Sequence, residues 1–115
     1  MNILNWLPFG KVPEISVQQL NKIMDHVQIL DVRTALEFRQ SHIKGAINVP
    51  ITQFNSVHIA KLDLDPTRPV VTICLSAHRS IPATRQLKKM SFNASQLQGG
   101  MREWWRRDQP CVKED

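Results

Sequence analysis

Residues 69–74, PVVTIC, constrain this chain more than any other stretch. Two valines, a threonine and an isoleucine follow one another with no charge and no apolar–polar alternation. A strand of this kind has no face to give to water. It belongs inside a parallel sheet covered on both sides. The rest of the chain supplies the covers. Strand-like runs at VQILDV (27–32), GAINVP (45–50) and ASQLQGG (94–100) alternate with helical patterns. The helical patterns are EISVQQLNKIM (14–24), TALEFRQSH (34–42), ITQFNSVHIAKL (51–62), SIPATRQLKKM (80–90) and MREWWRR (101–107). Ser16 reads as an N-cap, Ser80 and Pro82 open the fourth helix, and Phe54 and Ile59 mark the inward side of the third. LDPTRP is a turn-rich connector, and PCVKED reads as a trailing end. The alternation predicts an α/β domain with a mainly parallel central sheet.

A chain of 115 residues, 42% apolar and 22% charged, has room for one domain with a sizeable core. Its two cysteines, Cys74 and Cys111, are too few for a disulfide framework. They show no CxxC pair and no zinc-like spacing, so no metal is expected, and no organic cofactor is implied by the reading as a whole. Two free thiols suit a reducing compartment, and the expected location is cytoplasmic. The net charge of +5 favours anionic partners. Arg79, Arg85, Lys88, Lys89, Arg102, Arg106 and Arg107 all follow Cys74. They read either as a solvated basic face or as the surroundings of a small anion. No nucleic-acid motif accompanies them, so nucleic acid is not an expected partner.

The apolar runs are far shorter than a bilayer requires, and no stable membrane insertion is expected. MNILNWLPFG lacks a charged start and a cleavage site, so it is a poor signal peptide. Residues 1–13 read as an apolar extension ahead of a domain over 14–115. Trp6, Leu7 and Phe9 would dock on that domain, on a partner or on a membrane surface.

Cys74 ends the apolar strand and begins the loop C74-L-S-A-H-R79, which leads into a helix. In open α/β sheets, sites form at the carboxyl ends of strands. Loop N–H groups and a helix N-terminus, worth about half a positive charge, can hold an anion there. The same cradle stabilises a thiolate or a persulfide. Arg79 adds a fixed positive charge, Ser80 is expected to donate to the sulfur, and a protonated His78 would favour the thiolate. The available chemistries are sulfur transfer and thiolate attack on phosphate or arsenate. The plainer alternative is that Cys74 is a small core hydrophobe. Cys111 is a candidate resolving thiol. Trp104 and Trp105 are candidate pocket walls, and His26 and His58 carry no signal.

Three motifs in order resemble the rhodanese-like family over roughly residues 14–112. They are L30-D31-V32-R33 with E37-F38 and H42-I43-K44-G45-A46-I47-N48-V49-P50; then Cys74 to Arg79 with Ser80; then L97-Q98-G99-G100, Trp104 and Pro110. The resemblance implies a five-stranded sheet with helices on both faces. It implies a sulfurtransferase that carries sulfane sulfur as a persulfide on Cys74, inside a loop of Leu75, Ser76, Ala77, His78, Arg79 and Ser80. The donor would be a small sulfur anion or a protein persulfide, and the acceptor a thiol or cyanide. Asp31 and Glu37 are candidate partners for Arg79. Arg33 and His42 resemble signature residues that make a salt bridge and a turn hydrogen bond.

Family sulfurtransferases have a six-residue loop, as here, while the related cell-cycle phosphatases have one residue more. Leu75 and Ala77 depart from the common Cys-Arg-Ser-Gly-x-Arg loop, and Ser91 and Asp108 stand where glycine is frequent. A positive φ at Ala77 would cost on the order of 1 kcal/mol. A non-catalytic binding module remains the alternative, with a cysteine phosphatase or arsenate reductase behind it.

Overall fold

The computed structural model describes residues 12–114. The expectations for Trp6, Leu7 and Phe9, and for most of the proposed extension, lie outside the described residues. Five strands form one sheet: β1 (Glu14–Ile15), β2 (Gln28–Asp31), β3 (Ile47–Asn48), β4 (Val70–Ile73) and β5 (Ala94–Leu97). Their order is β1-β5-β4-β2-β3, and every pairing is parallel. The central position goes to β4, whose four residues are all buried. This follows from its composition, since an unbroken apolar run is stable only with both faces covered.

The covers are α1 (Val17–Ile23), α2 (Ala35–Gln40), α3 (Ser56–Lys61), α4 (Ser80–Lys89) and α5 (Gly100–Arg106). Alternation along the strands sorts the core into two layers. Ile29, Val71, Ile73 and Leu97 pack with Val17 and Leu20 of α1 and with Met101 and Trp104 of α5. Leu30, Val70 and Ala94 face the other way, against Ile59 of α3 and Leu87 of α4. Burial of each fully enclosed Leu or Ile contributes about 1.5–3 kcal/mol.

Four local expectations are corrected. Residues 14–24 are not one helix: Glu14 and Ile15 form the edge strand beside β5. Ser16 then caps α1, accepting from the Gln19 N–H, while the Gln19 side chain accepts from the Ser16 N–H. Residues 51–62 are split into a 3-10 turn (Ile51–Gln53) and α3, because the Asn55 side chain accepts the His58 N–H and starts a new helix. TALEFRQSH is helical only from Ala35 to Gln40. Thr34 is its cap, and Ser41 is already extended. PCVKED does not trail off, since Val112 and His42 exchange both backbone hydrogen bonds, at 2.8 and 2.9 Å.

Candidate active site

Because all strands are parallel, the ends of β2, β4 and β5 open on one edge of the sheet. Cys74 directly follows β4 there and is 1% exposed. The loop from Leu75 to Arg79 then turns into α4, whose ten residues begin at Ser80. Ala77 sits at φ +69°, the left-handed conformation that makes the bend. Ser91 and Asp108, the other two positions where the family often has glycine, are also left-handed at +69° and +54°. The chain keeps the backbone shape there and bears the Cβ strain.

The loop is held from behind by α5. The N–H groups of Met101 and Arg102 donate to the carbonyls of Cys74 and Leu75 at 2.8 and 3.0 Å. Gly100 allows this approach: a Cβ there would overlap the Cys74 carbonyl oxygen and lie 2.7 Å from the Leu75 carbonyl carbon. With those carbonyls tied back, the backbone N–H groups of Leu75 through Ser80 find no acceptor among the described residues. An array of free N–H groups at a helix N-terminus, beside a buried sulfur, suits an anion.

Arg79 closes the loop through a two-pronged ion pair. Its Nη1 and Nη2 donate to Glu37 Oε1 and Oε2 at 2.7 and 3.0 Å. Glu37 stands in the first turn of α2, where it also accepts from the Thr34 N–H. The Arg79 guanidinium, first of several causes, holds the Glu37 carboxyl down to about 2. The same pair raises Arg79 above its usual value. The positive charge expected at the rim is therefore matched by a carboxylate.

Asp31 does not pair with Arg79. It pairs with Arg33 at 2.8 Å, both side chains fully buried. Arg33 also donates to the Ser41 carbonyl, and Asn48 Nδ2 donates to the Asp31 and Arg33 carbonyls. The Arg33 salt bridge and the His42 turn hydrogen bond, Nδ1 to Phe38 O at 2.7 Å, are both present. These groups join β2, the end of α2 and β3 beneath the loop.

Ser80 departs from its expected role. Its Oγ lies 3.3 Å from Cys74 Sγ, but it donates its proton to Gln96 Oε1 at 2.6 Å. Gln96 was not a sequence candidate. It lies on β5, far along the chain and outside every motif, so no local signal marked it. His78 is exposed, with Nδ1 3.1 Å from Ser76 Oγ. Leu75 and Ser76 are half-buried. Trp104 is enclosed in the core, where its Nε1 donates to Pro110 O. Trp105 lies over Arg33 and donates to Ser41 Oγ. Neither is joined to the loop by a described contact. Cys111 is exposed, and no described contact joins it to Cys74. Arg106 and Arg107 pair with Glu103, so part of the basic excess is neutralised locally.

A family model described as the rhodanese-like domain matches residues 16–107. The chain is 34% identical over 94 residues to the thiosulfate sulfurtransferase GlpE of Shewanella oneidensis, covering 78% of this chain and 89% of that one. It is 32% identical over 99 residues to YrkF of Bacillus subtilis, covering 83% of this chain but only about half (52%) of that one. It spans 23% and 20% of two longer curated relatives. The crystal structure of a rhodanese-related protein from Thermoplasma volcanium superposes with a TM-score of 0.77 at 25% identity, covering 88% of this chain and 98% of that one. The family's motifs thus lie at the carboxyl edge of a matching sheet, and the chain belongs to the rhodanese-like domain family.

Proposed function

We propose that the protein is a sulfurtransferase in which Cys74 carries sulfane sulfur as a persulfide. The observation that carries this reading is the six-residue loop from Cys74 to Arg79, whose N–H groups after Cys74 find no acceptor among the described residues, beside a buried sulfur. The Cys74 thiolate attacks the outer sulfur of a donor such as thiosulfate. The S–S bond to the departing sulfite breaks as the new S–S bond forms on Cys74. The outer sulfur of the persulfide then bears the negative charge, and the loop N–H groups hold it. A nucleophilic acceptor, cyanide or a thiolate, takes that sulfur and returns Cys74 as thiolate. Arg79, anchored by Glu37, keeps the loop closed and lends positive charge to its edge.

The name of GlpE supports thiosulfate as one donor class. Leu75 in place of a basic residue, and Ala77 in a strained conformation, point toward a protein persulfide or polysulfide as the better donor. The domain carrying this chemistry is taken to extend over residues 14–115. The test is steady-state kinetics with thiosulfate and then polysulfide as donor and cyanide as acceptor, read as thiocyanate formed. Double-reciprocal plots should be parallel, as a covalent intermediate requires, and Cys74→Ser should be inactive. Thiocyanate production that survives Cys74→Ser would end the proposal.

A further inference from the structure

A chain of hydrogen bonds runs from the sheet edge to the sulfur. Glu14 on β1 and Gln96 on β5 are register partners. An ionised carboxylate only accepts, so the Gln96 amide turns Nε2 toward Glu14 Oε2, at 3.1 Å. That leaves Oε1 facing Ser80 Oγ, at 2.6 Å. An amide oxygen also only accepts, so Ser80 must direct its single proton to Gln96. Cys74 Sγ, 3.3 Å away, then meets the lone pairs of the hydroxyl and can bond to it only as a thiol. Ser80 and Gln96 are 0% and 4% exposed, so water does not stand in for a missing partner.

We propose that Gln96, oriented by Glu14, is a positioning residue that sets the donor direction of Ser80 and so favours the Cys74 thiol in the unloaded protein. Removing the thiol proton, by ionisation or by loading with sulfur, leaves a sulfur that can only accept. Ser80 can bond to that sulfur only by turning its proton away from Gln96, whose Oε1 then loses its donor. The consequence for loading rests on the sulfur-transfer reading; the donor direction does not. Charged or titratable groups on the elements around Cys74 include Arg79 with its partner Glu37, His78, the Asp31–Arg33 pair, Arg85, Lys88 and Lys89 on α4, and Arg102, Glu103 and Arg106 on α5. No described hydrogen bond joins any of them to the Ser80 hydroxyl or to the Gln96 amide. Replacing Gln96 by methionine alters none of those charges and keeps a similar volume.

The test is the rate of Cys74 alkylation by iodoacetamide against pH, in the full chain carrying Cys111→Ser so that one thiol reports. In Gln96→Met the freed Ser80 proton reaches the thiolate, and the midpoint of the profile should fall by about one pH unit. In the Ser80→Ala background, Gln96→Met should produce no further fall. Glu14→Gln, at an exposed position, should give a smaller fall that persists in about 0.5 M salt, where through-space effects are screened. That fall too should vanish in Ser80→Ala. An unmoved midpoint in folded Gln96→Met, or the same fall without Ser80, overturns the proposal. Should circular dichroism show Gln96→Met unfolded, Glu14→Gln with and without Ser80 decides by the same criteria. Alkylation requires no sulfur donor, so a protein that carries no persulfide still returns a result on Gln96.

Discussion

Glu37 illustrates how one side chain serves two structures at once. It completes the cap of α2 with Thr34 and grips both arms of Arg79. Its folded value of about 2 lies below the ordinary 4.5, so the carboxylate form is favoured by folding. That stability is fully present above about pH 4.5 and is lost as pH falls toward 2. The pair is partly solvated, so screening reduces its contribution to about 1 kcal/mol. Glu37→Gln keeps the cap, because glutamine also accepts from Thr34. Urea titrations should therefore show a deficit of about 1 kcal/mol at pH 7 that closes toward pH 2; a deficit independent of pH would contradict the ion-pair account. Ala77 poses a different balance. Relief of its left-handed strain is worth about 1 kcal/mol, but glycine loses about as much in the freedom of the unfolded chain. Ala77→Gly should thus lie within roughly 0.5 kcal/mol of the parent in the same titration, and a loss well above that would mean the Ala77 methyl packs.

The loop depends on α5 more than on its own residues. Gly100 lets the helix N-terminus approach the Cys74 and Leu75 carbonyls, and the obstacles to a Cβ there are backbone atoms that cannot swing aside. Gly100→Ala should cost about 3 kcal/mol in urea unfolding, by analogy with overpacked cores, and should change the alkylation rate of Cys74. Wild-type stability together with an unchanged rate would sink that claim. The elements also show what a single sequence displays. β4 was legible because its apolar run leaves no other environment open, and β2 because VQILDV is a short run rich in β-branched and aliphatic residues. β1 was not: two residues make a strand only because β5 offers its free edge, and that edge is remote in sequence. Asn55 was missed as a cap because the apolar spacing of 51–62 continues across it. Glu37 was legible only as one of two candidate carboxylates for Arg79; the other, Asp31, pairs with Arg33 instead. The Glu14–Gln96–Ser80 chain was not, since it joins three elements through polar side chains that follow no period.

The molecule is organised around the carboxyl edge of a parallel sheet, where the sulfur is buried at the end of β4. Beneath that edge the Asp31–Arg33 pair fixes the end of β2 against α2 and β3. Removing one charge of a buried pair strands the other, so Arg33→Met should destabilise the whole domain by about 3–5 kcal/mol. Thermal unfolding would measure it, and a loss under about 1 kcal/mol would mean water reaches Asp31. No helix among the described residues is long and apolar enough to cross a membrane. The central claim is that Cys74 holds a sulfur atom within its loop. It is tested most directly by intact mass after incubation with thiosulfate and, separately, with polysulfide, on the parent protein and on Cys74→Ser. The account predicts a gain of one sulfur atom in the parent, more complete with polysulfide, reversed by cyanide and absent from Cys74→Ser. No gain from either donor would contradict it and leave the fold serving as a binding module, and a gain that survives the substitution would contradict it by placing the sulfur on the exposed Cys111.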